Sequence, residues 1–316
     1  GRLWSAVWLR PEQGPGVLVW TAHVIAMDPA SWRVVLGDLD AGWHALSAGR
    51  TPAPTAEHTS YRRWSARLTE RAQDLDTVDF WIRQLDGDDP QLGARRIRPD
   101  LDRAADLTVS VAITEAALTG RLLAAPERTP DLLAAAAART VTAWRRRRGQ
   151  PTPTPLLALE THGRADTVVD DGADTSQTVG LLTAIYPLRV DPDAGGVPEV
   201  AGHGIDYGLL RYLRPDTAER LAAHPEPQLL LNYLGRADVG AGGAFPVDRG
   251  LLTDVSGLPE PDLSVRHELT VMAVILPGED GPVLATQWRT LPEILSAADI
   301  AVLQSLWQQS LEEVAP

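Results

Sequence analysis

Apolar residues recur along the chain with two periods. Short unbroken or alternating runs predict strands at 3–9 (LWSAVWL), 17–27 (VLVWTAHVIAM), 107–113 (LTVSVAI), 155–160 (PLLALE), 228–235 (QLLLNYLG), 268–276 (ELTVMAVIL) and 283–289 (VLATQWR). A further apolar run, VGLLTAIYPLRV, spans 179–190. The first two strands flank Pro11-Glu12-Gln13-Gly14-Pro15-Gly16 and the last two flank Gly278-Glu279-Asp280-Gly281, so both pairs read as hairpins. The run at 17–27 is too short to cross a membrane and suits a strand buried on both faces.

Helical spacing takes over elsewhere. After the turn at Asp28-Pro29, Ser31 can cap a helix reading WRVVLGDLDAGWHAL. Between Ser60 and Leu85 the apolar positions Trp64, Leu68, Ala72, Leu75, Val78, Trp81 and Leu85 follow a helix with a break near Asp76. A short helix is expected over Thr114–Leu123. Thr129 would cap an alanine-rich helix from Pro130 to Arg148, closed by Gly149, with the arginines at 145–148 complementing its dipole. That basic run has a second reading, a docking patch for an acidic partner such as a carrier protein. Further helices run from Pro215 to His224 and from Ser296, where Asp299 completes a capping box. Residues 237–261 read as irregular, and the sequence around Gly202–Gly208 as glycine-rich loop.

Interleaved strands and helices, with both crossover-length and hairpin-length links, give a mixed α/β fold with helices covering mixed sheets. Polar, Pro- and Gly-containing sequence at 86–106 is the expected linker between a first part, 1–85, and a second, 107–316.

Composition narrows the classes. A chain of 316 residues with 44% hydrophobic content can bury a sizeable core, and a net charge of −13 disfavours nucleic acid. No cysteine is present, which excludes disulfides and thiolate metal sites and agrees with a cytoplasmic location. No membrane span and no secretory leader are read. His162 and His203 lie in Gly-containing loops without a second ligand at metal-site spacing, so neither a metal nor another cofactor is expected. Ser31, Ser176 and Ser256 lack a nucleophile-elbow context.

Five stretches carry a resemblance. HVIAMDP with the following Ala30-Ser31-Trp32-Arg33 is similar to the HHxxxDG signature and its SWR in the condensation and epimerization domains of nonribosomal peptide synthetases. LETHGR (159–164) is similar to EGHGR, TVGLLTAIYP (178–187) to TVGWFTxxYP, the stretch from Gly202 to Tyr212 to GxGxxYG and its continuation, and NYLG (232–235) to the same late-strand motif. The resemblance runs along the whole chain and leans towards epimerization domains. It implies the chloramphenicol-acetyltransferase-like pair of αβ lobes around a tunnel. Family members carry about a hundred residues before the HHxxxDG strand, a usual size for half of a two-lobed domain. That strand arrives here by residue 17, so the N-terminal lobe is expected to be incomplete in this sequence.

The resemblance also assigns residues. His23 takes the first His of the signature, Asp28 the Asp and Pro29 the Gly, while the second His, the family's acid/base, falls on Val24. Glu160 takes the carboxylate that faces that imidazole. His162, Arg164, Tyr186, Tyr207, Asn232 and Tyr233 occupy motif or tunnel positions. Inverting an α-carbon needs a proton removed from one face of an enolate and delivered to the other, by two titratable groups. Valine cannot transfer a proton, and losing a general acid/base costs about 10²–10⁴ in rate. By residue chemistry alone, His23 reads as a core histidine and Asp28 as a turn or cap residue.

Two functions stay open. One is a catalytically degenerate domain that engages a peptidyl carrier protein with its phosphopantetheine-bound substrate, or recruits a tailoring enzyme such as a cytochrome P450. The other is a working epimerase relying on Glu160.

Overall fold

The computed structural model describes residues 2–194, 196–237, 245 and 260–316. By contacts the chain forms two units. One is built mainly from Gly1–Arg71 and His162–Thr183, the other mainly from Ala72–Thr161, Ala184–Asp238 and the end of the chain.

In the first unit, β1 (Trp4–Leu9) and β2 (Val17–Ala22) pair as the expected antiparallel hairpin. The strand stops five residues short of the expected Met27, and His23 already opens a turn. Neither strand is buried on both faces: β1 is exposed throughout, Trp4 by 62%, and the residues of β2 are half-buried except for the exposed Thr21. Apolar composition on both faces produces strand here, but among the described residues β2 pairs with β1 alone. Trp20 stacks edge-on against Trp4 and Trp32, at 6.4 and 5.7 Å between ring centres.

Helix α1 (Pro29–Ser47) begins earlier than expected. Its cap is Asp28, whose Oδ1 accepts from Ser31 N at 2.7 Å, and not Ser31. Pro29 sits at the first helical position, where a missing N–H costs nothing, so this departure from the signature's Gly leaves the helix start intact. Helix α2 (Tyr61–Asp74) follows, and the break expected near Asp76 separates it from α3 (Val78–Leu85).

Among the described residues the second unit is built on a six-stranded mixed sheet in the order β3-β8-β7-β6-β4-β5. Its strands are β3 (Thr108–Thr114), β4 (Leu156–Thr161), β5 (Ala184–Arg189), β6 (Leu229–Arg236), β7 (Leu269–Gly278) and β8 (Gly281–Thr290). The pairs β4–β6 and β6–β7 are parallel and the others antiparallel. Its helices are α3, α4 (Ala116–Leu122), α5 (Thr129–Arg147), α6 (Ile205–Tyr212), α7 (Pro215–Ala222) and α8 (Ala297–Val314). The capping box of Ser296 and Asp299 opens α8 as expected.

Leu132, Leu133, Ala136 and Val141 of α5 and Leu303, Trp307 and Leu311 of α8 form one core with Leu157, Leu159, Leu231, Val271 and Trp288 of the sheet. Each leucine buried there contributes about 1.5–3 kcal/mol. The small alanines of α5 are almost fully enclosed, as a helix lying close on a sheet requires.

Three local expectations are corrected. Thr129 is the first helical residue, and its hydroxyl donates to Leu122 O at 3.1 Å without capping. The glycine-rich stretch is helical from Ile205, because Gly202, His203 and Gly204 take left-handed conformations (φ 56°, 49° and 87°) that turn the chain into α6. Residues 86–106 form no free linker in this division: they belong to the second unit and are tied down within it. Leu92 N donates to Gln228 Oε1 at 2.7 Å, Trp144 Nε1 to Leu92 O at 2.9 Å, and Arg95 grips both oxygens of Asp102 at 2.7 and 2.8 Å. Polar residues and turns marked a packed irregular segment. Of the basic run, Arg145 is buried against Asp89 at 2.5 Å and Arg148 stacks on Trp144. Most of the stretch 237–261 lies outside the described residues. Among the described residues no helix is long and apolar enough to cross a membrane.

Candidate functional site

Two centres hold the motif residues, one in each unit. In the first unit, Asp28 is fully buried and shared among four donors. Its Oδ1 accepts from Ser31 N and Ser31 Oγ at 2.7 Å each, and from Arg164 Nη2 at 3.0 Å. Its Oδ2 accepts from Leu182 N at 3.1 Å and again from Arg164 at 3.2 Å. The other terminal nitrogen of Arg164 donates to the carbonyls of Thr175 and Thr178, both at 2.8 Å. Ser31 Oγ accepts from Gly180 N at 3.0 Å and shares its one proton between Asp28 Oδ1 and Gly180 O, the latter 3.0 Å away. Gly180 has to be glycine: a Cβ there would fall 2.3 Å from the Tyr61 ring.

This arrangement is a clamp. Helix α1, the turn after β2 and residues 162–182 are pinned by one buried ion pair whose lone pairs and protons are nearly all used. Removing one partner from such a pair strands the other charge, at about 3–5 kcal/mol. Asp28 therefore positions backbone and has no acid/base work to do. His23 is exposed, outside the strand, and its Nδ1 accepts from Ile25 N at 3.1 Å. It is thus not the core histidine that strand burial implied. His162 is exposed as well, with Nδ1 accepting from Arg164 N at 2.9 Å.

The second centre is on the face of the sheet opposite α5 and α8. Glu160, near the end of β4, accepts from Asn232 Nδ2 of β6 at 2.7 Å. The parallel register places these two directly side by side. An amide N–H on one oxygen fixes the orientation of a carboxylate that could take a proton from, or return one to, a carbon held above it. Tyr233 alternates to the other face, onto the helix-covered core. Tyr186 and Tyr207 are also core residues, packed edge-on or tilted against Trp81 at 6.0 and 5.4 Å between ring centres. Burial, with a smaller push from the charge of Asp131, raises the Tyr186 hydroxyl to about 12, and burial raises Tyr207 further. Both stay neutral and structural. Of the tunnel or motif residues expected from sequence, Glu160 and Asn232 come together on this face, while the three tyrosines do not join them.

Sequence reasoning missed Ser31, Gly180 and Leu182 as partners of Asp28, and it missed the role of Arg164. The quoted SWR and TVG matches carried that signal without saying what the residues touch. Among the described residues no cluster of three His, Asp or Glu could hold a metal ion.

Comparison with known proteins places this architecture. The profile of the family described as "Condensation domain" matches residues 1–197. The chain belongs to the condensation-domain family. It is 30% identical to a linear gramicidin synthase protein of Brevibacillus parabrevis over 324 residues, covering 95% of this chain and 4% of that protein. With the chondramide synthase of Chondromyces crocatus it shares 32% identity over 257 residues, covering 74% of this chain and 6% of the relative. The chain thus spans about 4–6% of the length of these curated relatives.

Among solved structures, the epimerization domain from the third module of tyrocidine synthetase B superposes with a TM-score of 0.77 at 21% identity, over 100% of this chain and 72% of that one. The X-domain in its complex with OxyB from teicoplanin biosynthesis gives 0.61 at 19% identity, over 99% and 70%. The first condensation domain of the CDA synthetase gives 0.58 at 18% identity, over 99% and 67%. The fold is the chloramphenicol-acetyltransferase-like mixed α/β fold expected from sequence, and the chain is a condensation/epimerization-type domain of a nonribosomal peptide synthetase.

Proposed function

We propose that this domain, in a cytoplasmic assembly line, engages a peptidyl carrier protein bearing a phosphopantetheine-bound chain without inverting that chain, and offers its surface to a tailoring enzyme such as a cytochrome P450. The observation that carries the reading is Val24. It presents a half-exposed hydrocarbon where the signature has its acid/base imidazole, while the signature's Asp28 is fully engaged in the clamp with Arg164. The half of the motif that builds the frame is kept and the half that moves protons is missing. The likeness to an X-domain solved in complex with OxyB supports the platform role.

A second reading has its own support. The Glu160–Asn232 contact is in place, and the epimerization domain superposes better than the X-domain. In that reading the Glu160 carboxylate removes the α-proton of a carrier-bound aminoacyl or peptidyl thioester to give the enolate. A second acid then protonates the opposite face.

Hydrogen exchange at the α-carbon in deuterated water separates the two. With a carrier protein loaded with an L-aminoacyl or peptidyl thioester, the unmodified domain should give no exchange above background, and a Val24→His variant should gain about 10²–10⁴ in rate. Exchange by the unmodified domain that disappears in Glu160→Gln would overturn the platform reading in favour of the epimerase.

A further inference from the structure

Strand register, traced from Glu160 across the second unit's sheet, gives a row that joins motif residues to Met272 and Gln287, which lie outside both the motifs and the family match. Ile185 pairs with Glu160, Glu160 with Asn232, Asn232 with Met272, Met272 with Gln287, and Gln287 with Val111. Residues paired across neighbouring strands share a face. The whole row therefore lies opposite the buried layer of Leu159, Leu231, Val271 and Trp288. Its middle is sheltered and its ends are open: Glu160, Asn232, Met272 and Gln287 are half-buried, while Ile185 and Val111 are 44% and 59% exposed.

The chemistry along the row is ordered. An oriented carboxylate stands near one end, then a flexible thioether suited to irregular apolar groups, then a primary amide. Gln287 Oε1 accepts from Arg289 Nε at 2.7 Å, which fixes the amide and leaves its NH₂ to donate elsewhere. Neighbouring strands lie about 4.8 Å apart, so Met272 is two steps, about 10 Å, from Glu160, and Gln287 three steps, about 14 Å. An extended peptide advances about 3.4 Å per residue.

We propose that Met272 and Gln287 are specificity residues for the carrier-tethered chain. With the thioester residue at Glu160, Met272 meets the side chain about three residues behind it and the Gln287 amide donates to a peptide carbonyl about four residues behind. The row extends a single strand beyond Glu160 on the β5 side, so a longer chain runs towards β8 and β3. The site thus selects by length: peptidyl chains of about five residues reach the amide, and aminoacyl groups do not. This inference rests on the reading that the domain engages a carrier-bound chain.

The test is binding of non-hydrolysable amide analogues of aminoacyl- and pentapeptidyl-pantetheine to the whole chain. Unmodified protein should prefer the pentapeptidyl analogue. Gln287→Glu, which keeps the acceptor for Arg289 and removes the donor, should reduce that preference by about three- to ten-fold, the worth of one hydrogen bond. Met272→Ala should reduce it by a similar factor, with an unchanged thermal midpoint showing that the fold persists. Equal affinity for both lengths, or a preference that survives both substitutions, overturns the assignment. Failure of every analogue to bind overturns the functional reading itself.

Discussion

The clamp in the first unit and the row in the second draw on one short motif, yet they are built on opposite terms. Arg164 is spent on a closed centre in which a fully buried carboxylate meets backbone, hydroxyl and guanidinium donors. Glu160 stands beside an amide, with Asn232 in register on one side and the exposed Ile185 on the other. A motif groups residues without saying which of these jobs each one does. Burial and the number of partners say it.

The comparison makes graded demands. Arg164→Ala leaves Asp28 buried without its counter-charge and should cost about 3–5 kcal/mol, read by chemical denaturation. A loss below about 1 kcal/mol would mean the centre is wetter than its geometry implies. Ser31→Ala keeps the ion pair but strips one hydroxyl from it, leaving Gly180 N–H without its acceptor, and should cost about 1–3 kcal/mol.

The second unit holds an ion pair of its own against which the first can be judged. The Arg95 guanidinium, helped by Arg98 N–H and opposed by burial, holds Asp102 below its ordinary carboxyl value. A depressed folded value contributes stability that is present above the unfolded value and lost as pH falls through the folded one. Asp102→Asn should therefore flatten the loss of stability below about pH 4, an effect visible in denaturation midpoints across an acid series. The smallest effect belongs to the open row. Glu160→Gln should change stability by no more than about 0.5 kcal/mol, since an amide can replace the acceptor that Asn232 uses. A large loss there would erase the distinction between frame and site.

Much of this was readable in the sequence, for physical reasons that differ by element. The break between α2 and α3, the β7–β8 hairpin and the capping box of α8 are local features, fixed by residues a few positions apart. Glu160 and Asn232 were found because their motifs are compact. What escaped is non-local. The hairpin's burial depends on what lies over it, so β2, apolar on both faces, ended only half-buried. The start of α6 escaped because three left-handed residues look like loop until the helix they launch is seen. The 86–106 segment has linker composition, and it takes Trp144, Arg145 and Gln228, far along the chain, to show that it is packed. Register, and with it the row through Met272 and Gln287, is written nowhere in a single strand.

The clamp also sets a timetable. Asp28 and Arg164 stand 136 positions apart, and the intervening chain builds much of the other unit. At about 5–20 residues per second of synthesis, the aspartate waits roughly 7–27 s before its arginine has even been made. During that interval α1 has its cap but no anchor, and the nascent first unit depends on whatever shields its tryptophans.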